Sequence, residues 1–208
     1  MGRNLYKKTA RWYDTFVGPL TDELRVTGME MFPDTEGMLV LDVGCGTGTV
    51  LNLYQKAGCR VFGIDSSPAM LEVARQKLGK RAELRLGDAS QMPYPDETFD
   101  LIIAVLALHE MPAPTRSAAM SEAKRIMKKE GRILLIDYHP GPIRFPSGWL
   151  SKAVITFFEV TAGGEHFRNY RDFLARCGLP CLITTHQLSV DKMKIVNGGS
   201  LGIFLLSS

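Results

Sequence analysis

Apolar residues fall into short continuous runs separated by stretches in which they recur at helical spacing, and the two patterns alternate along most of the chain. Runs at 38–43, 60–64, 82–86, 99–104 and 132–137 predict strands, and the stretches 47–56, 68–78 and 115–128 predict helices. Leu101-Ile102-Ile103-Ala104-Val105-Leu106 and Ile133-Leu134-Leu135-Ile136 are apolar without a break, the pattern of strands buried on both faces. In the helix at 68–78, Met70, Leu71, Ala74 and Leu78 form one stripe, with Ser67 placed as N-cap and Pro68 in the first turn. Gly79 and Gly131 are expected to end the helices before them. Beyond Tyr138 the stretches 149–160 and 167–177 read as helices, and 179–187 and 201–206 as strands, which makes seven strands. Asn197-Gly198 favours a tight return, so the last two strands are expected to be antiparallel. The βαβα order predicts an α/β fold with a mainly parallel sheet covered on both faces.

A length of 208 residues suits one domain, and 45% apolar with 23% charged residues is ordinary globular composition. The formal net charge of +3 is too slight to hold a polyanion, so nucleic acid is not implied as a partner. Lys124, Arg125, Lys128 and Lys129 are expected on a solvated helix face near the helix C-terminus. The first residues lack the apolar core of a secretory signal, and the run 101–108 is too short for an integral membrane segment. A cytoplasmic location is the expectation. Cys45, Cys59, Cys177 and Cys181 form no disulfide framework in the sequence and are expected to be reduced. Cys177 and Cys181 flank Gly178 and Pro180 as a helix-to-strand exit, and no metal site is expected.

The chemistry is concentrated after the first strand, where Leu39-Val40-Leu41-Asp42-Val43 runs straight into Gly44-Cys45-Gly46-Thr47-Gly48 at the start of a helix. Glycines there let the backbone turn sharply and approach a ligand, while the helix N-terminal amides face the same space. Tight strand-to-helix packing is the alternative reading of such glycines when they stand alone. Asp65 lies 21 residues beyond Gly44 at the end of the next strand, where a carboxylate can accept from both hydroxyls of a ribose. Asp88 follows the third strand in the same way. Asp42, Asp65 and Asp88 thus come from the ends of three successive strands and ask for a ligand with a nucleoside and a cation. A pyrophosphate suits them poorly, and Thr49 stands where the dinucleotide fingerprint has its last glycine.

These segments, with Gly63-Ile64-Asp65-Ser66-Ser67-Pro68-Ala69-Met70, Gly87-Asp88-Ala89, Met92-Pro93-Tyr94 and Phe99-Asp100-Leu101-Ile102, resemble the ordered motifs of class I S-adenosylmethionine-dependent methyltransferases. With an apolar lid expected after strand 5 and no added recognition domain expected, the chain resembles the branch that includes quinone C-methyltransferases and small lipid N-methyltransferases. The resemblance implies S-adenosyl-L-methionine as cofactor and S-adenosyl-L-homocysteine as product. It implies a doubly wound, Rossmann-like, three-layer α/β/α fold with sheet order 3-2-1-4-5-7-6 and strand 7 antiparallel. Gly44, Gly46 and Gly48 would pass under the methionine part, with Asp42 on its amino group. Asp65 would hold the ribose hydroxyls and Asp88 the adenine amino group. Ser66 and Met70 would flank ribose and adenine, Gly87 and Ala89 would border the base, and Val105 would approach the methionine part. Tyr13 resembles an aromatic residue of an N-terminal segment that lies over the cofactor.

The chain is expected to divide into an N-terminal helical segment at 1–36, a cofactor-binding core at 37–137, a substrate-side insertion at 138–178 and the last two strands at 179–208. His109, just past strand 4, is the candidate catalytic residue, able to take a proton from a phenol or amine; a packing role is the alternative. Tyr138, His139, Trp149, Phe157, Phe158, His166 and Tyr170 could build a lid, whose apolarity points to a small hydrophobic or aromatic methyl acceptor. A binder of the cofactor or of a nucleoside that performs no turnover, acting as sensor or partner subunit, would use the same loop. The sequence does not set the oligomeric state.

Overall fold

A computed structural model describes residues 18–33 and 36–208, so Tyr13 lies outside the described residues. The described elements run α1 (Gly18–Glu30), β1 (Leu39–Val43), α2 (Thr49–Lys56), β2 (Arg60–Asp65), α3 (Pro68–Leu78), β3 (Ala82–Leu86), β4 (Phe99–Val105) and α4 (Ala113–Ile126). They continue with β5 (Met127–Tyr138), α5 (Ser147–Ala162), α6 (Gly164–Ala175), α7 (Gly178–Thr185), β6 (Ser189–Val196) and β7 (Leu201–Ser207). The sheet order is β3-β2-β1-β4-β5-β7-β6. Strands β1 to β5 pair in parallel, and β7 runs antiparallel to both of its neighbours.

The uninterrupted apolar runs occupy the middle of this sheet, and Leu101, Ile102, Ile103, Ile133, Leu134, Leu135 and Ile136 are all buried. Helices cover both faces, so neither face of these strands can alternate with polar residues. Phe62, Tyr94 and Phe99 close one side of the core as an edge-to-face triangle with centroids 5.0 to 6.4 Å apart. Ser67 caps α3 as expected, its hydroxyl accepting from the Met70 N–H at 3.4 Å. The short Asn197–Gly199 turn, with Asn197 and Gly198 at positive φ, returns the chain from β6 into β7.

Four sequence expectations are corrected. The span 179–187 is not a strand: Gly178–Thr185 is helical, and the sixth strand is Ser189–Val196. Leu179 and Ile183 are four apart and both buried, which is helical periodicity, and Pro180 sits in the first turn where a missing N–H costs little. The real β6 escaped notice because it is an exposed edge strand carrying Asp191, Lys192 and Lys194. Gly131 ends no helix; it lies inside β5, where a Cβ would come within 3.0 Å of Phe99 O and Lys128 O beside the β4–β5 register shift.

The basic cluster is not a bare solvated face. Arg125 pairs with Glu122 and Asp96, Lys128 with Asp100 at 2.7 Å, and Lys124 donates to His186 O at 2.6 Å. Cys177 and Cys181 are joined in a disulfide across the first turn of α7, with Cα atoms 5.5 Å apart, while Cys45 and Cys59 are free and buried. Among the described residues no helix is long and apolar enough to cross a membrane.

Candidate functional site

The glycine loop leaves β1 at the C-terminal edge of the sheet with Gly44, Gly46 and Gly48 all at positive φ, 74°, 51° and 73°. Side chains rarely adopt this backbone, so glycine is required at each position. Their surroundings differ. A Cβ on Gly44 would stand 2.6 Å from Ala107 Cβ, and one on Gly48 2.8 Å from Leu78 of α3, but one on Gly46 would meet nothing within 4 Å. The open space beside Gly46 belongs to a cavity of about 1070 Å³, just above the usual range for small-molecule sites.

Asp42, Gly44, Gly46, Asp65, Ser66, Met70, Gly87, Asp88, Ala89, Val105 and His109 all line this cavity. The topology brings them together because β1 to β4 are parallel and adjacent, so their C-terminal ends open on one edge. Gly48 is the exception: it packs against Ala74 and Leu78 and faces away from the cavity. Among the residues proposed for the lid, Tyr138 and His166 line the cavity. Tyr170 is buried behind Tyr138, and Trp149 and Phe157 are exposed. His139 instead accepts from the Gly141 N–H and stacks on Phe204.

Asp65 is held by two backbone donors, with Gly46 N–H on Oδ2 and Ser67 N–H on Oδ1, both at 2.8 Å. A carboxylate has about four lone-pair sites, so each oxygen keeps one to offer. Burial raises its pKa, opposed by these two hydrogen bonds. Asp42 is almost fully buried, and its pKa is pushed up to about 8 by burial first and by Asp65 second, against the pull of Arg25. Asp88 is exposed, its carboxyl held below the usual range by the Ser90 N–H at 2.8 Å.

The cavity wall carries a second polar group. His109 is 2% exposed, with Nδ1 2.7 Å from Asp137 Oδ1 and Nε2 3.4 Å from Glu159 Oε1. Asp137 also accepts from the backbone N–H groups of Leu108, His109 and Tyr138. Glu159 Oε1 accepts from Tyr138 Oη at 2.7 Å, and Oε2 lies 2.8 Å from His166 Nε2. Burial alone would discharge His109, but Asp137, Glu159 and Glu110 together outweigh it and raise its pKa to about 10. The surrounding carboxylates thus favour a positive charge at this ring.

Sequence reasoning missed Asp137, Glu159 and Arg25. Asp137 ends β5, so the rule that found Asp65 and Asp88 at strand ends could have found it. Glu159 is the lone acid in an apolar helical run, a signal in itself. Arg25 reaches the cavity from α1 through tertiary packing, and nothing local marks it.

The residues fit an adenosyl group joined to a cation. Asp42 Oδ1 is buried with no hydrogen-bond partner among the described residues, and a ligand amino group would supply one. Gly46 leaves its backbone open to the same ligand.

Comparisons with known proteins agree with this geometry. The model of a family described as a methyltransferase domain matches residues 41–135. The chain is 34% identical over 160 residues to a phosphatidylethanolamine N-methyltransferase from Cereibacter sphaeroides, covering 74% of this chain and 76% of that protein. It is 32% identical over 145 residues to a demethylmenaquinone methyltransferase from Tropheryma whipplei, covering 66% and 59%. In fold it is similar to the crystal structure of a SAM-dependent methyltransferase from Aquifex aeolicus, with a TM-score of 0.62 and 23% identity over 88% and 89% of the two chains. Loop, strand-end carboxylates, sheet order and relatives converge, and the chain belongs to the S-adenosyl-L-methionine-dependent methyltransferases of the methyltransferase-domain family.

Proposed function

We propose that the enzyme methylates a small hydrophobic or aromatic acceptor that enters the end of the cavity opposite the glycine loop. The observation that carries this reading is the lining of the cavity outside the glycine loop and strand-end carboxylates. Leu106, Met111, Val154, Ile155 and Leu201 line the cavity together with the polar cluster of His109, Glu159 and His166. Such a pocket desolvates an apolar body and leaves one place for a polar atom. Relatives named for phosphatidylethanolamine and for demethylmenaquinone agree with a lipophilic acceptor.

S-adenosyl-L-methionine, when bound, supplies a methyl group already made electrophilic by its positively charged sulfur. The protein's work is then to bind, orient and exclude water. Asp65 would hold the ribose hydroxyls, Asp42 the amino group and Asp88 the adenine amino group. Ser66 and Met70 would flank the nucleoside, Gly87 and Ala89 would border the base, and Gly44 and Val105 would border the methionine part. His109, with Glu159 and His166, positions the polar atom of the acceptor. Gly48 contributes only by seating α2 against α3.

Incubation with methyl-labelled cofactor and a panel of hydroquinones, phenols, phosphatidylethanolamine and water-soluble amines tests the reading. Label is expected on a lipophilic or aromatic member, and His109→Asn should slow transfer at least about tenfold while sparing S-adenosyl-L-homocysteine affinity. Label confined to the water-soluble amines would overturn it.

A further inference from the structure

Glu159 projects from α5 into the cavity wall and is 4% exposed, its carboxylate facing two imidazoles. His166 Nε2 stands only 2.8 Å from its Oε2. The two atoms face each other across a space that either a shared proton or a bound cation can occupy. His109 Nε2 lies on the other side, 3.4 Å from Oε1, and one donor atom from each of the three side chains falls within 4.8 Å of the others.

The surroundings of His109 point the same way independently. Its Nδ1 is engaged by the fully buried Asp137, itself pinned by three backbone N–H groups, so the ring is fixed with Nε2 toward the cavity. Imidazoles that bind metals are held in this manner, with the second ring nitrogen on a carboxylate. Tyr138 plays the matching part for the carboxylate through its 2.7 Å bond to Glu159 Oε1. The cluster lines the same cavity as the glycine loop, so positions left open on an ion would face the acceptor.

We propose that His109 Nε2, His166 Nε2 and the Glu159 carboxylate form a binding site for one divalent transition-metal ion at the acceptor end of the cavity. Two imidazoles and one carboxylate suit zinc and its first-row neighbours, whereas magnesium and calcium prefer oxygen donors. The ligand held at the open position would be an acceptor oxygen, phenolic or enolic. Its O–H bond would break with the electron pair kept on oxygen and the proton passed to water, giving a better nucleophile. That role rests on the methyl-transfer reading; binding of the ion does not.

The test is titration of the metal-free full chain with Co²⁺ alone near neutral pH, followed by its d–d absorption, with calorimetry using Zn²⁺ alone. One ion per chain with the spectrum of a low-coordinate nitrogen and oxygen site is expected. His166→Asn, at a half-buried position, should weaken uptake at least about tenfold, and Asp137→Asn, which removes no ligand, roughly 10- to 100-fold. Circular dichroism and S-adenosyl-L-homocysteine binding of the same variants establish that they are folded. No uptake by the wild-type chain, or equal uptake by wild type and a folded His166→Asn, would overturn the site. Either result would leave the cofactor reading standing if S-adenosyl-L-homocysteine still binds.

Discussion

Asp42 and Asp65 are both carboxylates at strand ends, yet their environments give them different work. Asp65 is satisfied by Gly46 and Ser67 and keeps one lone-pair site on each oxygen, which suits two hydroxyls. Asp65→Asn should therefore weaken S-adenosyl-L-homocysteine binding by about 1.5–3 kcal/mol, roughly 10- to 150-fold, as read by calorimetry. Asp42 is held up at about 8 by burial and by Asp65, so in the ligand-free enzyme it is mostly neutral at pH 7. A cationic amino group favours its ionised form, so ligand binding should release a proton between about pH 4 and 8, and affinity should rise with pH over that window. Calorimetry in buffers of different ionisation enthalpy measures the release, and Asp42→Asn should abolish it. The same residue sets a stability slope. Between pH 3.8 and about 8 the folded state keeps a proton that the unfolded state has lost, so stability falls as pH rises, by at most about 1.4 kcal/mol per pH unit. Urea melts across this range should show a flatter profile in Asp42→Asn. Asp65 and Asp88 were legible in the sequence because they end predicted strands. Glu159 was not, since its importance comes from burial beside two histidines that α6 and the turn after β4 bring to it.

At the scale of elements, the three loop glycines are separable. Gly48 at φ 73° supports the start of α2, and its missing Cβ lets Leu78 of α3 approach. Gly48→Ala should destabilise the fold by about 1–3 kcal/mol in denaturant melts, with cofactor affinity of the folded protein unchanged within about twofold. Gly44→Ala would push on Ala107, which lines the cavity, so it should lose both stability and affinity. Helix and strand positions through residue 126 were legible because period and punctuation agreed there. The misread element, α7, is a short apolar segment, in which a helix and a buried strand look alike until the 4-residue spacing of Leu179 and Ile183 is weighed against its run length. The disulfide between Cys177 and Cys181 follows from the same misreading, since a helical turn brings residues four apart together and a strand does not.

The described residues form a mainly parallel sheet in which the strand ends of β1 to β4 open on one edge, where α5 and α6 also line the cavity. The order of the strands was anticipated through the resemblance, whereas their period alone yields only a parallel α/β sheet. The polar groups beyond the strand-end carboxylates were not legible, because Arg25, Asp137 and Glu159 come from three elements distant in sequence. Carboxylates gripping an adenosyl cation beside an open glycine are the centre of the site. A crystal structure of the enzyme with S-adenosyl-L-homocysteine tests it most directly. The account predicts ribose hydroxyls on Asp65, the amino group on Asp42 Oδ1 and the methionine part over Gly46. A ligand seated elsewhere, or one in the cavity that leaves Asp42 and Asp65 untouched, would contradict it.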